Sequence, residues 1–340
     1  MKTALITGIA GQDGAYLAKL LLKKNYKVIG LDRRSSRDDR WRLEYLDIRN
    51  KVTIEYADLT EINSIYRIFK KYKINEVYNL GAQSFVASSF LAPITTCDVN
   101  ALGTLRILEI IKDLDKNIKF YQASSSEMYG RVLEKKQNEK TPFNPISPYA
   151  VSKLFSYYIT KNYRESYDMF ACNGILFNHE SPLRGEEFVT RKITTTLAKI
   201  SAGKSKCLYL GNIDSKRDWG YAGDYVEAIW KILQQNKPSD YVVSTGKTYS
   251  VKEFVTLAAS FFEMKIIWKG KGYNEVGIDK KSNKVIIKID KKLYRPTEVS
   301  YLVGDASKAK KDLKWKPKHN IYSLVKMMCE ADIKTYRKYF

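Results

Sequence analysis

A tyrosine and a lysine one helical turn apart are the first residues in this sequence whose types and spacing point to catalysis. Tyr149 and Lys153 form a Tyr-x-x-x-Lys motif, and Pro148 occupies a typical first helical position, so one helix face would carry both side chains. A phenol has a pKa of about 10 and is a poor base at neutral pH. Bringing that pKa toward 7 takes ~4 kcal/mol, which nearby positive charge can supply. We predict that Tyr149 acts as a base assisted by Lys153.

A hydroxyl-rich segment that ends in a carboxylate adds a second candidate for proton transfer. Ser124, Ser125 and Ser126 precede Glu127, directly after an apolar segment at 120–123 that is typical of a strand. The hydroxyls can hydrogen-bond a substrate oxygen, and Glu127 can move a proton. Taken alone, the same residues would also suit a capping cluster on a surface turn.

A glycine-rich turn near the start of the chain predicts a dinucleotide site. Gly8, Gly11 and Gly14 follow a short apolar segment and precede a helical pattern. Glycine allows a tight turn and close approach of the backbone, and the helix N-terminus then faces a pyrophosphate. We therefore expect a bound nicotinamide dinucleotide.

The end of the second predicted strand bears on the choice between NADP and NAD. An acidic residue at this position usually binds the ribose 2′-hydroxyl of NAD, whereas arginine binds the 2′-phosphate of NADP. Asp32 is followed by Arg33, Arg34 and two serines. Two arginines and two hydroxyls favour NADP, while Asp32 leaves NAD possible.

Alternating strand and helix patterns must position these groups. Strands are predicted at 3–7, 27–32, 52–56, 76–80 and 119–124, and helices at 16–24, 62–72 and 101–114. This spacing predicts an α/β fold with a Rossmann-type, doubly wound parallel sheet, whose ligands bind at the carboxyl ends of the strands.

The second half of the chain has a less regular pattern. A loop is expected at 178–185, helices at 187–203 and 251–262, a strand at 241–244, and an exposed loop or hairpin at 269–284. No clean linker separates the halves, so we expect the chain to cross between lobes around 208–245.

Composition narrows the classes of protein. The chain has 340 residues, a net charge of +22, two histidines and four dispersed cysteines. We expect reduced thiols, a cytoplasmic location, no metal site, no signal peptide and no membrane span. The lysines are spread along the whole chain, so a solvated surface and a phosphate-bearing ligand explain the charge, and no nucleic acid is expected.

The three motifs together resemble the extended short-chain dehydrogenase/reductase family of nucleotide-sugar enzymes. Five further segments are similar to the GDP-mannose 4,6-dehydratases within it, at 79–84, 177–182, 188–192, 216–220 and 294–299. The similarity extends over essentially the whole chain. It implies an NADP-binding domain at 1–177, a smaller α/β lobe for the GDP-sugar at 178–340, and a homodimer or homotetramer.

The resemblance also implies roles for individual residues. The implied catalytic residues are Ser125, Glu127, Tyr149 and Lys153. The implied cofactor contacts are Gly8, Gly11, Gln12, Asp13, Gly14, Arg34, Asp58, Leu59, Leu80, Ala82, Ser84, Tyr149, Lys153, His179 and Arg184. The implied GDP-sugar contacts are Ser84, Ser125, Glu127, Asn178, Lys192, Arg217 and Arg295.

The implied reaction converts GDP-mannose to GDP-4-keto-6-deoxymannose without net redox change. Tyr149 takes the O4 proton, Glu127 removes the C5 proton and returns one to the departing C6 oxygen, and a tightly held NADP is reduced and reoxidised in each turnover. Ser125 orients the C4 oxygen.

Departures from the family pattern keep other functions open. Ser125 replaces the usual threonine, Asp32 replaces an uncharged residue, and Ser152 stands where alanine is usual. A 4,6-dehydratase of another GDP-sugar, such as GDP-manno-heptose or GDP-N-acetylglucosamine, is one alternative. A nucleotide-sugar 4-epimerase and a non-catalytic dinucleotide- or RNA-binding Rossmann protein are the others.

Overall fold

The computed structural model describes residues 1–36, 38–132, 134–294, 296–297 and 299–337, and fifteen strands lie within them. The strands are β1 (Thr3–Thr7), β2 (Lys27–Asp32), β3 (Thr53–Tyr56), β4 (Glu76–Asn79), β5 (Lys119–Ser125), β6 (Ala171–Leu176), β7 (His179–Glu180), β8 (Leu208–Leu210), β9 (Lys216–Arg217), β10 (Gly220–Tyr221), β11 (Tyr241–Val243), β12 (Tyr249–Ser250), β13 (Ile266–Lys269), β14 (Val276–Asp279) and β15 (Lys284–Ile289).

Twelve α-helices connect these strands in the described part of the chain. They are α1 (Gln12–Lys23), α2 (Trp41–Tyr45), α3 (Ile62–Lys71), α4 (Val86–Leu91), α5 (Pro93–Cys97), α6 (Gly103–Leu114), α7 (Pro148–Tyr167), α8 (Val189–Ser201), α9 (Ala222–Leu233), α10 (Val251–Ser260), α11 (Ser307–Asp312) and α12 (Ile321–Arg337). A π-helical turn at Asp98–Leu102 joins α5 to α6.

The large sheet has seven parallel strands in the order β11-β6-β5-β4-β1-β2-β3. Two groups of buried apolar side chains cover its faces, one packed around α1 and α9 and the other around α3 and α6. The predicted Rossmann-type sheet is therefore confirmed. The reversal of strand order between β1 and β4 opens a crevice at the carboxyl ends, where such sheets bind ligands.

The predicted bounds of the first helix were wrong. Helix α1 begins at Gln12 rather than at residue 16. The predicted start is too late because Gly14, which does not favour a helix, lies in the first turn. A Cβ at Gly14 would lie 2.3 Å from the Gly8 carbonyl oxygen, so close packing accounts for a glycine in a helix interior.

The smaller lobe is built on a four-stranded mixed sheet in the order β13-β14-β15-β8. The segment 269–284 contains the β14–β15 turn, as predicted, although its strands are part of this sheet. Helices α8, α10 and α12 cover one face of the sheet through buried side chains such as Leu197, Phe254 and Met328. This lobe places α8 and the segment after β8 beside the carboxyl edge of the large sheet.

The chain crosses between the two lobes more than once. Strand β11 joins the edge of the large sheet beside β6, and Trp315 packs into the core around α1 and α9. The residues that complete the large sheet therefore come partly from the second half of the chain. The division at residue 177 stays a prediction.

Three general properties accompany this fold. None of the helices in the described part of the chain is both long and apolar enough to cross a bilayer. All four cysteines are free thiols. Among the described residues, no three His, Cys, Asp or Glu side chains are grouped as metal ligands would be.

A buried ion pair attaches the crossing segment to the Rossmann core. Both Nη atoms of Arg164, on α7, donate to the carboxylate of Asp240 at 2.8 Å, just before β11. The backbone and side-chain N–H groups of Asn173 donate to the same carboxylate. Burial alone would raise the pKa of Asp240, but Arg164 and Asn173 hold it below its ordinary value.

We predict that Asp240→Asn lowers the free energy of unfolding by about 3 kcal/mol at pH 7, because it leaves the buried guanidinium of Arg164 uncompensated. The folded-state pKa of Asp240 is depressed, so this stabilisation is present above the unfolded pKa of about 3.9 and disappears as pH falls through the folded value. Urea unfolding at pH 7 and at pH values stepped down from about 4 to about 2 measures both effects. The exposed variant Asp312→Asn is the control, and an equal loss in the two variants would contradict the prediction.

Candidate active site

Three adjoining cavities follow the carboxyl edge of the large sheet. The central one has a volume of about 370 Å³ and lies between a second of about 320 Å³ and a third of about 400 Å³. The central cavity is lined by fifteen of the predicted site residues: Gly8, Gly11, Gln12, Asp13, Gly14, Leu80, Ala82, Ser84, Ser125, Glu127, Tyr149, Lys153, Asn178, His179 and Arg184. Residues up to about 175 positions apart in the sequence thus lie in one crevice.

The glycine loop has the geometry of a dinucleotide cradle. Gly8 has a φ of +69°, and a Cβ there would lie 2.8 Å from the Cα of Gly81 in the loop after β4. Gly11 caps α1 and has no side chain to occupy the N–H groups of the first turn. These groups and the helix dipole are available to a phosphate in the central cavity, so the local structure fits the expected cofactor.

An ion pair joins the start of α1 to β7. Nε2 of His179 lies 2.7 Å from Oδ2 of Asp13, and Nδ1 lies 2.7 Å from the Phe177 carbonyl oxygen. Burial alone would lower the pKa of His179, but the Asp13 carboxylate raises it above its ordinary value. The ring also stacks on Tyr225 with centroids 4.8 Å apart. His179 is thereby fixed between the glycine loop and α9.

The second cavity extends the site toward the end of β2. It shares Gly8, Gly81 and Ala82 with the central cavity, and it is also lined by the predicted contacts Asp58 and Leu59. This arrangement suits the adenosine half of a dinucleotide.

The residues at the end of β2 differ in their access to this cavity. Asp32 and Arg33 line it, whereas Arg34 is exposed and is not among its lining residues. The Asp32 carboxylate lies 4.0 Å from Nε of Arg40. Of these two arginines, the one that lines the second cavity within this chain is therefore Arg33.

Tyr149 and Ser125 face each other in the central cavity. Tyr149 lies in the first turn of α7, which Ser147 caps by accepting from the Ala150 N–H at 3.1 Å. Burial raises the pKa of Tyr149 to about 12, and the Ser125 hydroxyl opposes that rise through a hydrogen bond. The protein alone therefore holds the phenol protonated, and additional positive charge is needed to make it a base.

Lys153 lies one turn beyond Tyr149 and is almost fully buried. Its Nζ donates to the Ala123 carbonyl oxygen at 2.9 Å, at the end of β5. Burial lowers the pKa of Lys153 to about 8, while Asp13 opposes that shift. Ser125 supplies the largest effect that opposes the rise in the pKa of Tyr149. The assistance of Lys153 to this base stays a prediction.

Glu127 lies where the central and third cavities meet. It follows β5 in a short 3₁₀ turn, and its N–H donates to Oγ of Ser125 at 3.2 Å. Its side chain is about nine-tenths buried and lines both cavities. A carboxylate at this position can reach a group held between Tyr149 and the third cavity.

The third cavity belongs mainly to the smaller lobe. Its lining includes Asn178 and the cations Lys192 on α8, Arg217 on β9 and Lys292, together with the carboxylates Glu127, Glu180 and Glu187. The remaining predicted contact, Arg295, lies outside the described residues. Cationic side chains around a cavity of this size suit a diphosphate.

Residues of the site that the sequence analysis did not assign include Arg33, Phe188 and Lys292. Arg33 was weighed for the choice of cofactor but was not assigned as a contact. Phe188 lines both the central and the third cavity, and the Arg184 guanidinium carbon lies 3.5 Å from the centre of its ring. The segment 188–192 had been singled out, yet a phenylalanine carries no polar signal that separates a cavity wall from a core residue.

We predict that His179 titrates above its ordinary pKa of about 6.5 and that Asp13→Asn lowers its pKa below that value. Without the carboxylate, burial and the charge of Arg184 both disfavour the protonated ring. NMR titration of the imidazole Cε1–H signals measures the change. His319 is the only other histidine in the sequence, so two sets of ring signals have to be assigned. An unchanged His179 titration in Asp13→Asn would contradict the prediction.

Comparisons with known proteins agree with this geometry. A family model described as GDP-mannose 4,6 dehydratase matches residues 5–328. A GDP-mannose 4,6 dehydratase of Drosophila melanogaster is 52% identical over 345 residues, covering 99% of this chain and 87% of that protein. The human protein of the same name is 50% identical over 342 residues, with 98% and 92% covered. A Vibrio cholerae GDP-mannose 4,6-dehydratase is 49% identical over 355 residues, with 99% and 95% covered.

Solved structures agree on the fold. A dTDP-glucose 4,6-dehydratase from Bacillus anthracis in complex with NAD has a TM-score of 0.82 and 20% identity, covering 99% of this chain and 98% of that one. RMD from Pseudomonas aeruginosa complexed with NADPH has a TM-score of 0.78 and 21% identity, with 98% and 100% covered. At these identities the likeness concerns the architecture.

Proposed function

The chain belongs to the GDP-mannose 4,6-dehydratase family, and we propose that it converts GDP-mannose to GDP-4-keto-6-deoxymannose with a tightly bound NADP. The reaction removes one water from the hexose and leaves the cofactor in its starting oxidation state. It therefore needs a base at O4, an acid–base group at C5 and C6, and a nicotinamide close to both positions.

The position of Glu127 carries this proposal. The central cavity contains Ser125 and Tyr149, and the third cavity contains Lys192 and Arg217, while Glu127 lines both. A GDP-sugar whose diphosphate lies in the third cavity would present its hexose beside this carboxylate. An epimerase that works only at C4 has no need of a carboxylate here, so this arrangement favours the dehydratase.

The cofactor site supports a nicotinamide dinucleotide, which we propose is NADP. The glycine loop and the N-terminus of α1 would hold the pyrophosphate, and Arg33 would neutralise a 2′-phosphate at the adenosine side. When bound, the nicotinamide supplies an acceptor for the C4 hydride and a donor of hydride to C6. Asp32 lines the same cavity and is the residue that keeps NAD binding open.

Tyr149 takes the O4 proton in the first step, and Ser125 orients the C4 oxygen. Burial raises the pKa of the phenol to about 12, and the Ser125 hydroxyl opposes that rise. A positively charged nicotinamide beside Tyr149 would lower this pKa further. Lys153, held by the Ala123 carbonyl oxygen, is placed to bind the adjacent ribose.

Glu127 acts after the C4 ketone has formed. The ketone acidifies the C5 proton, which Glu127 removes, and the same group returns a proton to the departing C6 oxygen as water leaves. When hydride reaches C6, C5 takes up a proton from solvent, which replaces the proton that left with the water. Lys192 and Arg217 hold the diphosphate and so keep the hexose in place during the three steps.

Self-association is part of the proposal. Helix α7 exposes Val151, Phe155 and Tyr158 in one stripe, with 51%, 40% and 53% of each residue accessible. Exposed apolar side chains on one helix face favour pairing with a second copy. Analytical ultracentrifugation distinguishes a monomer from the expected dimer or tetramer.

Incubation with a panel of GDP-sugars tests the proposed function. Mass spectrometry should show a product lighter by one water, with GDP-mannose reacting first. A product of unchanged mass would indicate a 4-epimerase. Preference for GDP-manno-heptose or GDP-N-acetylglucosamine would change the sugar and keep the reaction, and an inert protein carrying a bound cofactor would favour a non-catalytic Rossmann protein.

We predict that Glu127→Gln lowers kcat about 1,000-fold, within the range of general acid–base catalysis. The variant should still reduce its bound cofactor slowly, because Tyr149 and Ser125 remain. It should not exchange the C5 proton with deuterated solvent, which NMR measures. Glu186→Gln, an exposed carboxylate near α8, is the matched control. Normal turnover by Glu127→Gln would show that the assignment is wrong.

We predict that Arg33→Ala weakens NADP⁺ binding about tenfold while NAD⁺ binding changes less than about twofold, because a hydrogen bond to a charged group contributes ~1.5 kcal/mol or more. Calorimetric titration of the cofactor-free protein gives both dissociation constants. Arg34→Ala is the neighbouring control and should have the smaller effect. Tenfold tighter binding of NAD⁺ than of NADP⁺ by the unaltered protein would contradict the choice of NADP.

A further inference from the structure

A buried asparagine outside the three cavities connects two walls of the site. Asn100 lies on the π-helical turn Asp98–Leu102 and is 2% exposed. π-Helical turns cost backbone hydrogen bonds and are frequent at functional sites. None of the roles assigned above uses this residue, yet its side chain has a complete set of partners.

One set of partners lies on the loop after β4. Oδ1 of Asn100 accepts from the Gln83 N–H at 2.8 Å, and Nδ2 donates to the Gln83 carbonyl oxygen at 3.1 Å. The side-chain amide of Asn100 thus hydrogen-bonds both the backbone N–H and the carbonyl oxygen of Gln83, as the backbone of an adjacent β-strand does in a sheet. The two flanking residues, Ala82 and Ser84, line the central cavity.

The other partner lies on the catalytic helix. Nδ2 of Asn100 also donates to Oγ of Ser152 at 3.0 Å, and Ser152 in turn donates to the Tyr149 carbonyl oxygen at 2.7 Å. Ser152 is 1% exposed. A continuous chain of hydrogen bonds therefore runs from the cavity loop to the backbone of Tyr149.

We propose that Asn100 and Ser152 are positioning residues, which fix the phenol of Tyr149 relative to the loop at 82–84 and hence relative to the ligands in the central cavity. The pair acts through the backbone of Tyr149 and touches neither substrate nor cofactor. Proton transfer from O4 depends steeply on donor–acceptor geometry, so a small rotation of the first turn of α7 is enough to slow it.

The serine one turn further along α7 separates this role from ordinary helix packing. The Ser156 hydroxyl donates to the carbonyl oxygens of Asn100 and Ser152, at 2.8 and 2.9 Å, and is fully buried. It contacts the same elements and loses a comparable hydrogen bond when replaced by alanine. Neither of these two hydrogen bonds reaches the first turn of α7, which carries Tyr149.

This inference rests on the proposed dehydratase function, and the variants are tested in the holoenzyme with GDP-mannose. Ser152→Ala should lower kcat about tenfold while KM changes less than about twofold, as expected for a misplaced base. The primary isotope effect with GDP-[4-²H]mannose should increase, because the step at C4 becomes more strongly rate-limiting. Ser156→Ala should lose similar thermal stability and keep kcat and the isotope effect within about twofold.

The outcomes are distinguishable. If the unaltered enzyme turns over no GDP-sugar, the proposed function fails first and this inference with it. If the enzyme is active and Ser152→Ala retains full kcat, or if Ser156→Ala loses as much, the positioning role is overturned. Ser152→Cys keeps a weak donor and acceptor of similar size, so its kcat and isotope effect should lie between those of the unaltered enzyme and of Ser152→Ala. If the alanine variant does not fold, Ser152→Cys is compared with Ser156→Ala in its place.

Discussion

The site depends on one constraint, which is the parallel alignment of β1, β4, β5 and β6 in neighbouring positions. Parallel strands deliver their carboxyl ends to the same edge, so the glycine loop, the loop after β4 and the turn that carries Glu127 must meet there. The Gly81 N–H donates to Oγ1 of Thr7 at 2.8 Å, which ties two of these loops together directly. Cofactor and sugar chemistry are thereby confined to one crevice.

Polar groups beneath that edge are buried and therefore have to be satisfied within the protein. The Thr7 hydroxyl donates to Asn79, and the Asn79 amide donates to Gln122, with all three side chains almost fully buried. Gln122 and Lys153 then share the Ala123 carbonyl oxygen. Partly satisfied networks are costly in a low-dielectric interior, so this one favours a single arrangement of the strand ends. The Lys153 ammonium is part of that arrangement.

The sequence predicts the sheet and most of the site because both depend on local patterns and on motifs with a physical reason for their spacing. β1 and β2 have the predicted bounds, and Tyr149 lies one turn before Lys153 on α7 as expected. Three features that the sequence does not predict depend on tertiary contacts. Helix α1 begins within the glycine loop, Lys153 donates to the Ala123 carbonyl oxygen, and Phe188 lines the central cavity. Periodicity carries no information about such contacts.

The central claim is that the hydride removed from C4 returns to C6 of the same sugar while Glu127 removes the proton between them. Incubation of a mixture of GDP-[4-²H]mannose and unlabelled GDP-mannose, followed by NMR and mass spectrometry of the product, tests it most directly. The account predicts deuterium on the C6 methyl group of the labelled molecules and none on the others. Deuterium that is lost to water, or that remains at C4, would contradict it.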